Sequence, residues 1–220
     1  HDGRFLHTWR VSDARRRGWD WLKPVNCAEI PTIITEGEAV DENQVNREEL
    51  SEGAIANAKK LLETKECPEC YLEGANLAKA ELGGASLRST DLSRTNLAAA
   101  NLSNANLAES YAGGAYFKSA NLAGANLEKT AFDRANLACV DLSNANLKEA
   151  VFSEANLIRA NLQGANLENA RLGLTDLSNA NLKGADLGGA YLDFANLQDA
   201  AMDDNTKIAP KWRLVWELVN

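Results

Sequence analysis

The stretch from Ser143 to Ala170 reads SNANLKEAVFSEANLIRANLQGANLENA, and a five-residue period runs through all of it. If the large apolar residue of each unit is taken as the centre, the same frame extends without a break from Leu72 to Met202, through 27 units. The centre is Leu in 22 units, the residue two positions earlier is Ala in 20, and the residue between them is Asn or Asp in 17. The chain is therefore organised around a tandem repeat.

A five-residue period suits neither an α-helix nor a flat β-strand. On a helix each successive Leu would advance by about 140°, and on a strand alternate Leu residues would point to opposite faces. A short extended piece, Ala-Asn-Leu, followed by a corner fits the period, because its first and third residues then point inward in every unit. The remaining positions hold Gly, Asn, Ser, Glu and Lys, which are turn formers and solubilising charges. The pattern predicts a narrow solenoid in which each coil packs against its neighbours.

Tandem A-[N/D]-L-x-x units resemble the pentapeptide repeat family over about 135 of the 220 residues. This resemblance implies an all-β solenoid, a right-handed quadrilateral β-helix with four units per coil and about seven coils. Stacked strands lie roughly 4.8 Å apart, so the rod would be on the order of 30 Å long. The ending KWRLVWELVN, and a helix followed by CxxC before the first repeat, resemble members that are common in cyanobacteria. The resemblance thus implies a cytoplasmic or thylakoid-lumen protein, and such members mostly lack an assigned function.

The sequence divides into an N-terminal extension and linker (1–46), a capping helix (47–66), the repeat domain (67–204) and a C-terminal capping helix (205–220). The first helix is predicted over 47–65, with Asn46 as N-cap and Glu49 completing a variant of the capping box. Its apolar face would comprise Leu50, Ala54, Ala58, Leu61 and Leu62. The second is predicted to begin at Pro210 and to carry one apolar face, Trp212, Val215, Trp216 and Val219. Both helices are expected to cover the open ends of the solenoid, where backbone groups lack partners.

The N-terminal extension differs in composition from the rest of the chain. Residues 1–24 hold six Lys or Arg against three Asp, interleaved with Trp9, Trp19 and Trp21. Basic and aromatic residues together can bind nucleic acid or an anionic membrane surface. Three consecutive arginines are weak evidence, however, and an arm packed on the rod or on a neighbour is the favoured interpretation. Residues 25–46 are predicted to be an acidic linker, in which Ile30–Ile34 can form a short strand.

The Cys67-Pro-Glu-Cys70 motif is open to three interpretations. Zinc would need four ligands, and the remaining candidates, Cys27, Cys139 and two N-terminal histidines, are poorly spaced. Thioredoxin-type chemistry would require a βαβ context that the repeats do not provide. A structural role, as thiols or as a local disulfide, is therefore favoured over a regulatory disulfide and over a metal site. Cys139 falls at an outward corner and is expected to be a free thiol.

The sequence offers little for catalysis. Its two histidines, His1 and His7, precede the repeats, and its glycines recur in frame at corners rather than in a phosphate-binding loop. A rod filled by its own Leu and Ala has no interior pocket, so we expect neither an enzyme nor a bound cofactor or metal. A net charge of −8 argues against direct binding to nucleic acid. No apolar run is long enough to span a membrane.

Two non-enzymatic functions remain: a scaffold that binds a protein partner through a flat face, or, as the family resemblance implies, a DNA-mimic regulator of DNA gyrase. The second requires a continuous acidic stripe. Sorting outward residues into faces of every 20th residue gives no such stripe, because Glu128, Lys129, Lys148 and Glu149 alternate in sign on one face. The scaffold interpretation is therefore favoured, as a monomer or a homodimer.

One face departs from the Asn/Asp rule at six of the seven positions that precede its centres: Tyr71, Asp91, Tyr111, Ala131, Val151, Arg171 and Tyr191. Aromatic residues and Arg are enriched at interface hot spots. The predicted partner-binding residues are Tyr71, Tyr111, Arg171, Leu174, Tyr191 and Phe194. Two structural explanations compete with binding: Phe-centred coils need a different corner, or the C-terminal segment folds over this face.

Overall fold

The computed structural model describes Cys27 and residues 51–220. From the first repeat onward, parallel bridges join residues that lie 20 positions apart, so that Tyr71 pairs with Asp91 and Asp91 with Tyr111. Four such ladders begin at Glu66, Tyr71, Asn76 and Glu81. A 20-residue register with four ladders means four pentapeptides per coil and a four-sided solenoid, as predicted. The right-handed sense of the coil stays a prediction.

Each coil turns at corners that share one backbone conformation. The Ala75 N–H donates to the Leu72 carbonyl at 3.0 Å, which closes a four-residue turn, and the same bond recurs at successive corners. The residue two positions after each inward residue from Cys67 to Leu197, that is from Glu69 to Asp199, has φ between 54° and 71°. A type II turn requires a positive φ at this place, where Gly is favoured and other residues are strained. Seven of the 27 corners have Gly there, so most corners adopt the conformation at a cost that the stacked coils offset.

The core is a column of Leu and Ala from successive coils. Leu147 and Ala145 are buried, and so are their equivalents one coil away, Leu167 and Ala165, which confirms the predicted frame. Where Thr or Ser replaces the inward Ala, the hydroxyl remains buried and finds a partner within the rod. Thr95 Oγ1, for example, donates to the Leu72 carbonyl of the preceding coil at 2.8 Å. Such residues keep the core closed without leaving a buried polar group unsatisfied.

Three phenylalanines replace Leu at neighbouring centres. Phe132 stacks on Phe152 with ring centroids 5.1 Å apart, and Phe117, from the adjacent face, meets Phe132 edge-on at 5.7 Å. Ala112, directly one coil before Phe132, is the one Ala among the centres and is fully buried. The large rings thus lie next to the smallest centre, so that the local volume of the core is kept nearly constant.

Asn and Asp before the centres satisfy both the corner and the neighbouring coil. Asn96 Oδ1 accepts from the backbone N–H of Ala98 at 3.1 Å, while its Nδ2 donates to Asn76 Oδ1 at 3.2 Å. Asn146 repeats both bonds, to the Lys148 N–H and to Asn126 Oδ1. The side-chain ladder explains why the repeat favours Asn, because its short amide side chain carries an acceptor oxygen and a separate donor nitrogen that point in different directions.

Helix α1, Glu52–Thr64, closes the N-terminal end of the rod. The prediction of Asn46 as N-cap is wrong: Ser51 is the cap, and its Oγ accepts from the Ala54 N–H at 3.1 Å. Ala54 and Leu61 are buried against the first coil as predicted, whereas Leu62 is exposed, because only a narrow stripe of the helix faces the rod. Asn57 Nδ2 donates to the Tyr71 carbonyl at 3.1 Å and ties the helix to the first repeat.

The C-terminal end is closed by a short strand pair and a second helix. Strand β1, Asp186–Leu187, pairs in parallel with β2, Lys207–Ile208, and one extra residue in the last turn shifts the register from 20 to 21. Helix α2, Pro210–Val219, begins with its proline at the first position. Trp216 Nε1 donates to the Ala200 carbonyl at 2.6 Å, so the helix satisfies backbone groups that the last coil leaves without a partner.

The predicted extension lies outside the described residues, apart from Cys27. This applies to Trp9, Trp19, Trp21, the suggested strand Ile30–Ile34, the start of the predicted helix and Leu50. Within the described part of the chain, neither helix has the length and apolar character that crossing a bilayer requires.

Candidate partner-binding face

The ladder that departs from the Asn/Asp rule forms one side of the rod, which we call the partner face. Its members are bridged in series: Tyr71, Asp91, Tyr111, Ala131, Val151, Arg171 and Tyr191. The three tyrosine side chains are 70%, 63% and 60% exposed, in chain order. Along this ladder the Asn-to-Asn side-chain bonds of the other faces are replaced by side chains that project into solvent.

Four of the predicted residues come together near the C-terminal end of the partner face. Arg171 and Tyr191 are bridged to each other on successive coils, and the Leu174 N–H donates to the Asp193 carbonyl at 3.0 Å, next to Phe194. We call this cluster the aromatic patch: Arg171, Leu174, Tyr191 and Phe194. Tyr111 and Tyr71 lie on the same face but four and six coils from Tyr191, which is roughly 19 and 29 Å at the usual strand spacing.

The backbone of the partner face does not differ from that of the other faces. The corners after Phe132, Phe152 and Leu172 have φ of 58°, 60° and 60°, within the range of all corners. Their turn bonds are intact as well, for example the one from the Ala155 N–H to the Phe152 carbonyl at 2.9 Å. Phe-centred coils therefore keep the common corner, and the loss of Asn on this face has no backbone cause.

Helix α2 does not lie over the aromatic patch. It contacts the end of the last coil through the Trp216 bond to Ala200 and through Asn220 Nδ2, which donates to the Leu197 carbonyl at 3.1 Å. Phe194 is 70% exposed although it belongs to the same coil. The second structural explanation, a C-terminal segment folded over this face, is therefore wrong for the described residues.

Leu174 and Phe194 have a left-handed backbone conformation that is unfavourable for large side chains. Both stand at the positive-φ corner position, with φ of 60° and 62°, and they are the two large apolar residues among the 27 corners. A bulky side chain in the left-handed region costs about 1–2 kcal/mol. Because the Phe194 ring contributes little burial in return, the fold does not require it.

The charges on the rod are arranged in pairs of opposite sign. On the partner face Arg94 lies 3.5 Å from a Glu73 oxygen and Arg134 lies 3.4 Å from Glu154. None of the ion pairs formed among residues 51–220 includes Arg171. The aromatic patch thus offers a cation beside apolar rings, whereas the arginines elsewhere on this face have carboxylate neighbours.

A second face shows why the rod lacks an acidic stripe. Lys148 Nζ lies 3.0 Å from Glu168, and Arg88 lies 2.9 Å from Glu109. The hydrogen bond that Lys148 donates to Glu168, together with the negative charge of Glu168, raises the pKa of Lys148. Carboxylates on this face are consequently neutralised from coil to coil.

The four cysteines form two disulfides. Cys67 and Cys70 are joined within the CxxC motif, between α1 and the first coil, which leaves no thiolates there for zinc. Cys139 is bonded to Cys27, so the expectation of a free thiol is wrong. Its corner position directs the side chain out of the rod, where a cysteine from outside the repeats can reach it. The repeat frame predicted the outward direction of the Cys139 side chain, but Cys27 lies outside the repeats, so the frame could not reveal the pairing.

Sequence reasoning also missed a partly covered side of the rod around Ile158. Ile158 is the one large apolar residue at the first turn position of any repeat, and that exception was a usable signal.

Among the described residues no group of His, Cys, Asp and Glu is arranged to hold a metal ion.

Several solved structures resemble this chain. The pentapeptide repeat protein HetL of the cyanobacterium Nostoc sp. strain PCC 7120, involved in heterocyst differentiation regulation, is 26% identical over 65% of this chain and 91% of its own, with a TM-score of 0.41. QnrB1, a plasmid-mediated fluoroquinolone resistance protein, is 20% identical over 70% of this chain and 78% of its own, with a TM-score of 0.54. A pentapeptide repeat protein from the Arabidopsis thaliana thylakoid lumen is 27% identical over 60% and 77% of the two chains, with a TM-score of 0.37.

No curated protein is significantly similar in sequence to this chain. The family model of pentapeptide repeats, in contrast, matches in eight copies at residues 68–104, 100–137, 135–173 and 174–204. These matches coincide with the bridged coils, and together they span more than half of the sequence. The chain therefore belongs to the pentapeptide repeat family.

Proposed function

We propose that this protein is a non-enzymatic scaffold that binds a protein partner through the partner face, with the aromatic patch as the centre of the contact. One observation carries the proposal: Phe194 is a large apolar side chain that is exposed and held at a strained corner. Strained or exposed residues that the fold does not need are found preferentially at functional sites.

The composition of the aromatic patch suits a protein partner. Tyr, Phe and Arg supply large rigid contact areas and directional hydrogen bonds, and they dominate interface energetics when a partner excludes water from them. The parallel bridge between Arg171 and Tyr191 fixes the backbone from which both side chains project. Binding a partner therefore costs little backbone ordering at these two residues. Tyr111 and Tyr71 extend the same face and would lie under the outer part of a long partner.

A DNA-mimic regulator of DNA gyrase is the alternative. The likeness to QnrB1 concerns the fold alone, because the identity is 20%. A duplex mimic needs unpaired negative charge along the rod, whereas Lys148–Glu168 and Arg88–Glu109 alternate the sign between coils. The charge pattern supports a scaffold over a mimic.

We also propose that the protein works in an oxidising compartment, of which the thylakoid lumen is the candidate. Both disulfides support this, Cys27–Cys139 and Cys67–Cys70. Disulfides persist in oxidising compartments and are rare in the cytosol. We expect a thiol-trapping experiment on protein taken from intact cells to find both cysteine pairs oxidised. Free thiols at these cysteines would contradict the proposal.

The test of the scaffold compares two variants of the full chain as bait in extracts of the native source. Tyr191→Ala with Phe194→Ala removes the rings of the aromatic patch. Lys183→Ala with Gln198→Ala is the matched control, because it truncates two exposed side chains on nearby coils at other corners. We expect at least one protein to be retained by the wild type and the control and to be lost with the patch variant. Sedimentation velocity of the same three proteins shows whether the partner is a second copy.

Two outcomes would contradict the proposal. Equal capture by the patch variant and the control would mean that the aromatic patch is not the contact. Inhibition of gyrase supercoiling by the wild-type protein, unchanged in the patch variant, would favour the DNA-mimic alternative.

A further inference from the structure

The two ends of the partner face carry groups that suit each other. Toward the C-terminal end lie Tyr191, Phe194 and Arg171, an arginine that has no ion pair within residues 51–220. Toward the N-terminal end the same ladder holds an acid, Asp91, and an exposed ring, Tyr111. A two-fold symmetric dimer needs such self-complementarity, because each of its contacts occurs twice across the axis.

One antiparallel arrangement of two rods brings these groups together. The two partner faces meet, and the two-fold axis crosses them between the coil of Ala131 and the coil of Val151. Ladder residues at equal distances from the axis then face each other: Val151 faces Ala131 of the second copy, Arg171 faces Tyr111, and Tyr191 faces Asp91. The half-buried Val151 and Ala131 form an apolar centre. Six coils overlap, and the outermost of their ladder residues are about 24 Å apart.

The outer facing pairs on the ladder are chemically matched. The Arg171 guanidinium can stack on the Tyr111 ring of the second copy, which is a cation–π contact. The Tyr191 hydroxyl can donate to the Asp91 carboxylate of the second copy. Asp91 Oδ1 accepts from the Ser93 N–H at 2.9 Å, and the other oxygen of this carboxylate has no partner among the described residues. Both contacts therefore use groups that one chain leaves available.

The corner residues beside the ladder are matched in the same arrangement. Phe194 faces Arg94 of the second copy, so a second ring meets a cation. Leu174 faces Gly114, where the missing side chain leaves room for it. The large side chains that stand at strained corners near the C-terminal end thus meet a cation or a glycine of the second copy.

The charges at the centre select this register. Glu154 faces Arg134 of the second copy, and within one chain these two side chains are 3.4 Å apart. Two acids and two bases therefore meet at the axis. A shift of the second copy by one coil in one direction would place Glu154 on Glu154, and a shift in the other direction would place Arg134 on Arg134. Facing like charges are unfavourable, so both neighbouring registers are disfavoured.

We propose that the partner of the partner face is a second copy of this chain, bound in this antiparallel dimer. The inference rests on the proposed function and names the partner that it leaves open. A contact that is one face wide lies at the low end of specific interfaces in area. The dimer is therefore reversible, with a dissociation constant in the micromolar range rather than a permanent association.

Sedimentation equilibrium of the full chain tests the dimer. Ala131→Asn with Val151→Asn restores the residue that the repeat usually has on its ladders, so the rod should melt at or above the wild-type temperature. The two amides replace the apolar centre of the dimer, and we expect the dissociation constant to rise at least about ten-fold. Lys183→Ala with Gln198→Ala, which lies on other faces, is the matched control and should leave the constant unchanged.

Photo-crosslinking tests the register and the direction of the second copy. Tyr191 is replaced by p-benzoylphenylalanine, and the adducts are mapped by mass spectrometry. We expect adducts on residues 91–94. Within one chain this coil is about 24 Å from Tyr191, so such an adduct can form only between two copies. The same photoreactive residue at Lys183 is the control and should give no adduct with 91–94.

Three outcomes would overturn the dimer: a wild-type chain that stays monomeric throughout the micromolar range, a dimer of equal affinity in the Ala131→Asn, Val151→Asn variant, and adducts on residues 191–194, which would mean parallel rods. The proposed function would fail by a different result, equal capture of proteins by the wild type and the Tyr191→Ala, Phe194→Ala variant. A monomeric chain that captures another protein through the aromatic patch would therefore overturn the dimer and leave the proposed function intact.

Discussion

Replacement of Ala112 by Leu should destabilise the rod although it restores the usual centre residue. Ala112 is fully buried one coil before Phe132, whose ring contacts Phe117 and Phe152. Three added carbon atoms would compete with the Phe132 ring for the same volume. Overpacking of a filled core costs about 1–3 kcal/mol. For a cooperative unit of this size that is a fall in melting temperature of about 2–4 °C per kcal/mol.

The double variant distinguishes this explanation from a general intolerance of change. Phe132→Leu alone loses two ring contacts, worth about 0.5–1.5 kcal/mol each. If the two sites were independent, Ala112→Leu with Phe132→Leu would cost the sum, about 2–6 kcal/mol. If the Phe132 ring fills the space beside Ala112, the double variant regains an ordinary Leu column, and its cost should be smaller than the sum by about 1 kcal/mol or more.

Guanidinium chloride unfolding of the four proteins, followed by far-UV circular dichroism, gives the coupling energy directly. Melting curves check that each variant unfolds in one step, without which the comparison has no meaning. Strict additivity, or an Ala112→Leu protein as stable as the wild type, would refute the argument that the two centres share one volume.

Three other contacts, at the C-terminal cap, on the surface and in the core, can be tested in the same way. Deletion of Pro210–Asn220 removes the Trp216 bond to Ala200 and should promote end-to-end association in sedimentation velocity; a monomer of unchanged stability would show that α2 is not a cap. Asp176→Asn keeps the oxygen that accepts from Asn196 and removes a desolvated charge, so stability at pH 7 should rise by about 0.5–1.5 kcal/mol. Burial raises the pKa of Asp176 in the folded state, so wild-type stability increases from this group as the pH falls through that pKa. The Asp176→Asn variant should lack this increase. A variant whose stability depends on pH as that of the wild type does would contradict the prediction. Thr95→Val loses the hydrogen bond to Leu72 inside the core and should cost about 0.5–1.5 kcal/mol by chemical denaturation, and no loss would mean that the bond is dispensable.

The sequence was sufficient to predict the rod because its main determinants are periodic. A buried centre such as Leu147 recurs every five residues, and sorting by 20 placed Arg171 beside Tyr191 correctly. The positive φ of the corner residues could not be predicted from the repeat in the same way. Lys, Glu and Arg occupy nine of the 27 positions, and they have no intrinsic preference for the left-handed region, so the stacking of coils imposes it.

Features without a period were predicted less well. The N-cap was assigned to Asn46 rather than Ser51, since several polar residues precede the helix and only the first coil decides where it can begin. The Cys27–Cys139 bond joins residues 112 positions apart, and one of them lies in a segment with no pattern. Long-range pairing of this kind is set by tertiary structure, and local spacing carries no record of it.

The central claim is that the aromatic patch serves binding rather than the fold, and Phe194→Gly tests it most directly by its effect on stability. Gly adopts the φ of 62° without strain, while the Phe194 ring is 70% exposed and gives up little burial. Relief of about 1–2 kcal/mol of left-handed strain exceeds the extra backbone entropy of Gly, about 0.5–1 kcal/mol. The free energy of unfolding of Phe194→Gly should therefore equal or exceed that of the wild type by up to about 1 kcal/mol. A loss of stability of more than about 1 kcal/mol would show that the ring belongs to the fold and would contradict the claim.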